Sequence, residues 1–222
     1  MDMAKLVDFM SNLIYPLQAI TAVYGLFLTI LVFRRIAQKR FRTQATADGF
    51  LDQVSDRLRA REFDSVAELC DSPPYWAKAV PQLILIALAN RERPTSKLRQ
   101  LLGETFEREV LSELDYQISW VNTVVKTAPM LGLQGTVLGM IAAFAKIASA
   151  NRTGVDPSKL ATDISFALIT TAVGLMIAIP LVMCMASMQV RIGRLTDSVQ
   201  HQLGRFLDEL EQAQSRKKSA AN

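Results

Sequence analysis

The sequence predicts an all-α integral membrane protein with three transmembrane helices, of which the second and third extend into a cytoplasmic helical bundle. Three observations predict it. Asn12 to Phe33 runs 22 residues without a charge, and Ile164 to Ser187 runs 24. At 1.5 Å per residue both exceed the ~20 residues that a hydrocarbon core of ~30 Å requires. Thr127 to Ala145 is a third charge-free stretch, bounded by Lys126 and Lys146, either of which can snorkel to an interface.

The charges orient these spans. The net charge is +4, but its placement argues for a bilayer rather than nucleic acid. Arg34, Arg35, Lys39, Arg40 and Arg42 follow the first span directly, and Arg191 and Arg194 follow the third, whereas Lys5 is offset by Asp2 and Asp8 before the first. The positive-inside rule puts the exit of span 1 in the cytoplasm. Three spans then place the N-terminus outside and the C-terminus inside. The expected organisation is an extracytoplasmic N-terminus (1–11), span 1 (12–33), a cytoplasmic helical domain (34–126), span 2 (127–147), an extracytoplasmic loop (148–163), span 3 (164–187) and a cytoplasmic helix and tail (188–222). The leader does not read as a secretory signal, because its basic residues follow the apolar stretch and no cleavage site is evident. An Asn151-Arg152-Thr153 sequon falls in the extracytoplasmic loop.

Within the cytoplasmic part, Val54, Leu58, Phe63, Val66 and Leu69 give Asp52–Cys70 helical spacing, ended by Asp71-Ser72-Pro73-Pro74. Ala79–Ala89 is apolar but too short to span, so it reads as a buried helix. Two long stripes follow. Leu102, Phe106, Val110, Leu114, Ile118, Val121 and Val125 form one, running without a breaker into span 2. Ile192, Leu195, Val199, Leu203, Phe206 and Leu210 form the other, continuing span 3. These stripes are expected to pack together and to hold subunits in a ring. The polar tail from Gln212 is expected to fray.

The informative chemistry lies between Ala128 and Pro180. In span 2, Ala128, Gly132, Gly135, Gly139 and Ala142 lie on one face, and in span 3 Ala167, Thr171, Gly174 and Ala178 lie on another, with Asp163 one turn outward. Small residues at such spacing let membrane helices approach closely. Thr136 and Thr171 sit on or beside these faces, and Thr170 adjoins. The spacing supports two readings. Each hydroxyl either bonds its own i−4 carbonyl in plain helix packing, or lines a narrow polar track able to hold water or a cation. Other chemistry is not indicated. His201 falls on a cytoplasmic helix, Cys70 and Cys184 lack metal or redox spacing, and no phosphate loop, nucleophile–base pair or metal-ligand cluster is evident. An enzyme, a cofactor and a bound metal are therefore not expected.

The stretch Ala128-Pro129-Met130-Leu131-Gly132-Leu133-Gln134-Gly135-Thr136-Val137-Leu138-Gly139-Met140 resembles the second-span motif of the MotA/TolQ/ExbB proton-channel family. The stretch from Ile164 to Pro180 resembles its third-span motif. The order of spans and the insertion after the first are similar to the TolQ/ExbB branch. That resemblance implies a subunit of an ion-gradient-driven motor in the bacterial inner membrane. Five copies would surround single-span partners of the TolR/ExbD kind, each carrying a membrane aspartate. The motor would be driven by protons, with sodium as the second candidate, and the family's pore-lining threonines carry over onto Thr136 and Thr171. One position departs: Phe166 stands where the branch usually has glutamate, and Asp163 is the candidate substitute. A non-conducting scaffold and a stand-alone cation channel are the alternative readings.

Overall fold

The computed structural model describes residues 3–149 and 157–220. The sequon and residues 150–156 of the loop predicted around it lie outside the described residues, as do the chain's first two and last two positions. Among the described residues every regular element is helical, in the order α1 (Met3–Lys39), α2 (Gln44–Arg59), α3 (Phe63–Cys70), α4 (Ala79–Ala89), α5 (Thr95–Phe106), a π-helical turn (Glu107–Leu111), α6 (Ser112–Ser149) and α7 (Pro157–Ala220). Three helical stretches are long and apolar enough to cross a membrane, and the three predicted spans fall inside α1, α6 and α7. Pro16, Pro129 and Pro180 lie within these helices. Proline is tolerated there because neighbouring helices and hydroxyls serve the backbone groups it frees.

The chain divides into two compact units. The first comprises residues 1–31 and 117–187, and holds the three apolar segments. Contacts along its helices fix their directions. Tyr15 meets Phe166, Gln18 meets Thr170 and Gly25 faces Leu181, so the apolar parts of α1 and α7 run parallel. Gly139 faces Asp163 and Ala167, Gly135 faces Thr170, and Gly174 faces Ala128, so α6 runs antiparallel to α7. Large apolar side chains such as Phe27, Met130, Phe144, Met176 and Met183 remain exposed on this unit, as side chains whose solvent is hydrocarbon do.

The second unit comprises residues 32–116 and 188–222. It is a conventional water-soluble bundle in its packing. Phe50, Leu58, Val66, Ile84, Leu98, Leu102 and Phe206 are buried to within 2%. Phe41, Phe50 and Tyr75 cluster with centroids 4.6 to 6.2 Å apart. Arg205 of α7 reaches Asp48 at 3.1 Å and Asp52 at 3.4 Å on α2. Helix α4 has the predicted bounds, and seven of its 11 residues are buried, as in an apolar helix too short to span.

Four expectations are corrected. The first concerns Asp52–Cys70, which is not one helix. Helix α2 starts earlier, at Gln44, and ends in a Schellman turn: Glu62 N–H bonds Arg57 O at 2.9 Å and Arg61 N–H bonds Leu58 O at 3.0 Å. Arg61 sits at φ 62°, the left-handed conformation that favours glycine. The five-residue step from Leu58 to Phe63 is the trace of that break. The second concerns the apolar stripes, which are buried within the chain, with Leu102 and Leu195 at 1% and Phe206 and Leu210 at 2% exposure. They build the bundle and are not available to hold a ring together. The third concerns Val125, which is half-buried while Val124 turns inward. The repeated four-residue steps of this stripe drift around an α-helix, and the wider π turn takes up part of that drift. The fourth concerns the tail, which continues α7 to Ala220, since Gln212 to Ser219 contains no glycine or proline to stop it.

Two predictions follow from the second unit. Arg61→Gly relieves the left-handed strain at little cost elsewhere, and should stabilise the bundle by about 0.5–1 kcal/mol, read as a raised unfolding midpoint. Cys70 is a buried free thiol whose pKa desolvation pushes up to about 12, with the Arg57 charge acting weakly the other way. The reactive thiolate is thereby about a thousandfold scarcer at pH 8 than in an ordinary cysteine. Maleimide should leave Cys70 unlabelled in the native protein and label it on unfolding. Because the folded state holds this proton more tightly, stability should fall as pH rises above about 9.

Candidate functional site: the seam between spans 2 and 3

The seam is built by glycines that leave no room for a side chain. A Cβ at Gly132 would stand 2.9 Å from the carbonyl oxygen and Cα of Thr170 and Thr171 respectively, and one at Gly174 would stand 2.6 Å from Ala128 O. At Gly139 it would meet Ala167 Cβ at 2.8 Å and Asp163 O at 2.9 Å, and at Gly135 it would run into the Thr170 side chain. These approaches are backbone against backbone, or backbone against a packed side chain, so they cannot be relieved by rotating a flexible group. All four glycines are buried. Ala128 and Ala167, also predicted on these faces, are buried at 0% and 2%. Beyond Gly139 the buried position is Ala143 rather than Ala142, which is half-buried.

The threonines behave individually. Thr171 is half-buried and its hydroxyl donates across the seam to Gly132 O at 2.9 Å. Thr136 is half-buried and donates to Leu133 O in its own helix at 2.7 Å. Thr170 is fully buried; its hydroxyl donates to Ala167 O at 2.8 Å, with Gly132 O further away at 3.5 Å. Two of the three thus bond back at i−3, and one links the helices. A hydroxyl that donates to a carbonyl still offers lone pairs, so none of these bonds prevents it from accepting from water or touching a cation.

At one end of the seam the Lys146 ammonium lies on the Asp163 carboxylate, Nζ 2.6 Å from Oδ2 and 2.8 Å from Oδ1. Asp163 is 16% exposed, Lys146 46%. Phe166, one turn along from Asp163, packs edge-on against Tyr15 at 5.2 Å. Its position is therefore occupied by an aromatic pair between α7 and α1. Sequence reasoning missed Gln18 of α1, which is 2% exposed and donates from Nε2 to Thr170 O at 2.7 Å. The available signal was a carboxamide inside a charge-free span.

The residues singled out for topology lie in the second unit. Arg35 pairs with Glu113, Lys39 Nζ donates to Gln82 Oε1 at 3.1 Å, and Arg40 O accepts from Lys78 Nζ at 2.7 Å, while the Arg34 side chain is exposed. Burial, then the neighbouring Arg35 charge, lowers the Lys39 pKa, with Glu109 opposing. Burial lowers that of Lys78. His201 is exposed. Among the described residues no three His, Cys, Asp or Glu side chains gather as a metal site would require.

Both faces of the seam lie within residues 76–201, and that stretch matches the model of the MotA/TolQ/ExbB proton channel family. The chain belongs to the MotA/TolQ/ExbB family. It is similar to the Tol-Pal system protein TolQ of Haemophilus influenzae, 34% identical over 102 residues, which are 46% of this chain and 42% of that protein. It is similar to a putative biopolymer transport protein, ExbB-like 2, of Helicobacter pylori, 36% identical over 76 residues, 34% of this chain and 49% of the relative. It is also similar to the biopolymer transport protein exbB1 of Vibrio cholerae, 27% identical over 150 residues, 66% of this chain and 65% of the relative. The chain spans about half the length of the first two relatives. As a TolQ/ExbB-branch member of a membrane channel family with three apolar helices, it is a multi-pass inner-membrane protein.

Glycine substitutions separate seam from scaffold within this MotA/TolQ/ExbB chain. Gly193 and Gly204 have nothing within 4 Å of an added Cβ, so Gly193→Ala and Gly204→Ala should stabilise by up to about 1 kcal/mol through helix propensity. Gly132→Ala and Gly174→Ala should instead destabilise by about 1–3 kcal/mol. Thermal unfolding in detergent checks both signs.

Proposed function

We propose that this protein is the ring-building channel subunit of an inner-membrane motor driven by a proton gradient. It acts through a single-span TolR/ExbD-like partner whose membrane aspartate is alternately protonated and deprotonated. The observation that carries this reading is the family match over both faces of the seam. Five copies, as the resemblance implies, surround the partner helices. The N-terminus lies outside and the C-terminus in the cytoplasm, with Arg34, Arg35, Lys39 and Arg40 holding that orientation.

Thr136 and Thr171 line the ion path, with Thr170 behind them and Gly132, Gly135, Gly139 and Gly174 setting the helix separation. Asp163 stands at the mouth, where a cation reaches it only in competition with Lys146. One elementary charge crossing 100 mV releases about 2.3 kcal/mol, and a carboxylate facing lipid costs several kcal/mol. Neutralising the partner's aspartate therefore shifts its preferred contacts by an energy of the same size as the drive. The chain's membrane segments supply hydroxyls rather than a carboxylate to the middle of the path, which is why the titrating group is assigned to the partner.

A non-conducting scaffold is the second reading, favoured by the fact that all three threonine hydroxyls already donate to carbonyls. Proton flux into liposomes separates the two. Thr136→Val and Thr171→Val, in the chain co-purified with the single-span protein expected from the neighbouring reading frame, should each cut flux about tenfold, the worth of one lost buried hydrogen-bonding group. Both must be inserted at wild-type levels. Full flux in both variants would leave the hydroxyl-lined path without support.

A further inference from the structure

Gln18 lies in the apolar part of α1, 2% exposed, where a leucine or methionine would fill the same space without a polar cost. Its Nε2–H donates to Thr170 O at 2.7 Å, across 152 residues of sequence. Its Oε1 is buried and meets no donor among the described residues. Exchanging the two ends of the amide would set carbonyl oxygen against carbonyl oxygen, so the contact itself fixes which end faces α7. A carboxamide retained in hydrocarbon with half its hydrogen-bonding capacity unspent is costly, and the contact it makes falls on the one stretch of α7 where two threonines meet the glycine seam.

We propose that Gln18 is a positioning residue of the ion path. Its amide clamps α1 onto the Thr170 carbonyl, which holds Thr170 against Gly135 and Thr171 in reach of Gly132 O. It does so with a donor that cannot ionise. The inference rests on the motor reading above. A glutamine is a permanently neutral counterpart of a protonated carboxyl group: both present a carbonyl oxygen and a donor, two N–H on the amide and one O–H on the acid. The surroundings suit a neutral group. Tyr15, one turn away on α1, is the nearest titratable neighbour on that helix, and its ring packs on Phe166. From α7 the clamp meets Thr170, and from α6 the Thr170 side chain meets Gly135. The charged pair Asp163–Lys146 lies two turns along the seam from Thr170 and is closed upon itself. With Phe166 in place of an acid, the clamp keeps the wall independent of pH.

Gln18→Glu and Gln18→Leu test this in two measurements. The first is thermal unfolding of the full chain in detergent across pH. Gln18→Glu should match wild type at acidic pH, where the carboxyl O–H replaces the amide donor, and fall below it at alkaline pH, where carboxylate opposes carbonyl. Below about pH 9, where the Cys70 thiol is still protonated whether folded or unfolded, the wild type should show no such step. The second is proton flux with the co-purified single-span partner. Gln18→Leu should lower flux about tenfold at every pH, as loss of one buried hydrogen bond does, while Gln18→Glu should be rescued to wild-type flux at acidic pH only. A merely structural role would move the first measurement and leave flux per assembled complex unchanged, which overturns the proposal. An unaltered pH profile in Gln18→Glu overturns it as well. Absence of flux from the wild-type complex itself overturns the motor reading, and with it this role for Gln18. Normal wild-type flux with unaffected Gln18 variants overturns this proposal alone.

Discussion

Close backbone approach between spans 2 and 3 is the constraint on which the membrane unit depends. In water, two helices associate because apolar surface leaves the solvent. In a bilayer that drive is absent, since lipid tails are as apolar as leucine, and association rests on dispersion and on hydrogen bonds that need short distances. Gly132, Gly135, Gly139 and Gly174 supply those distances by offering no side chain. The Thr171 hydroxyl then reaches a carbonyl on the facing helix at 2.9 Å, which a wider separation would forbid. Span 1 joins the pair through a buried polar contact, Gln18 to Thr170, an aromatic one, Tyr15 to Phe166, and the approach of Gly25 to Leu181 and Val124.

The second unit obeys the opposite rule. There the apolar stripes of α5, α6 and α7 are buried, and charged residues such as Arg205, Asp48 and Asp52 meet at the surface. Exposed pairs of this kind contribute little individually. The bundle is held by burial. One chain thus uses glycine where its surroundings are hydrocarbon and leucine where they are water.

Much of this was legible in the residues. The three spans, the bounds of α4 and the small-residue faces follow from charge-free length and period alone. The left-handed turn at Arg61 was not, because neither glycine nor proline marks it and only the five-residue step between Leu58 and Phe63 records the interruption. The partners of the threonines were not legible either. Whether a hydroxyl turns to its own helix, as in Thr136, or across, as in Thr171, depends on what the facing backbone offers. Gln18 was visible as a polar residue within an apolar run, but its partner lies 152 residues away and emerges only when spans 1 and 3 lie parallel. The same holds for Lys146 and Asp163, which the antiparallel register of the seam brings together.

That last pairing has an electrical consequence. A carboxylate covered by an ammonium at 2.6 Å presents a dipole rather than a charge, and the field of a dipole decays faster with distance than that of an ion. The pair itself therefore draws few counter-ions beyond its immediate contact. Dissolved salt therefore has little of that pair's field left to screen.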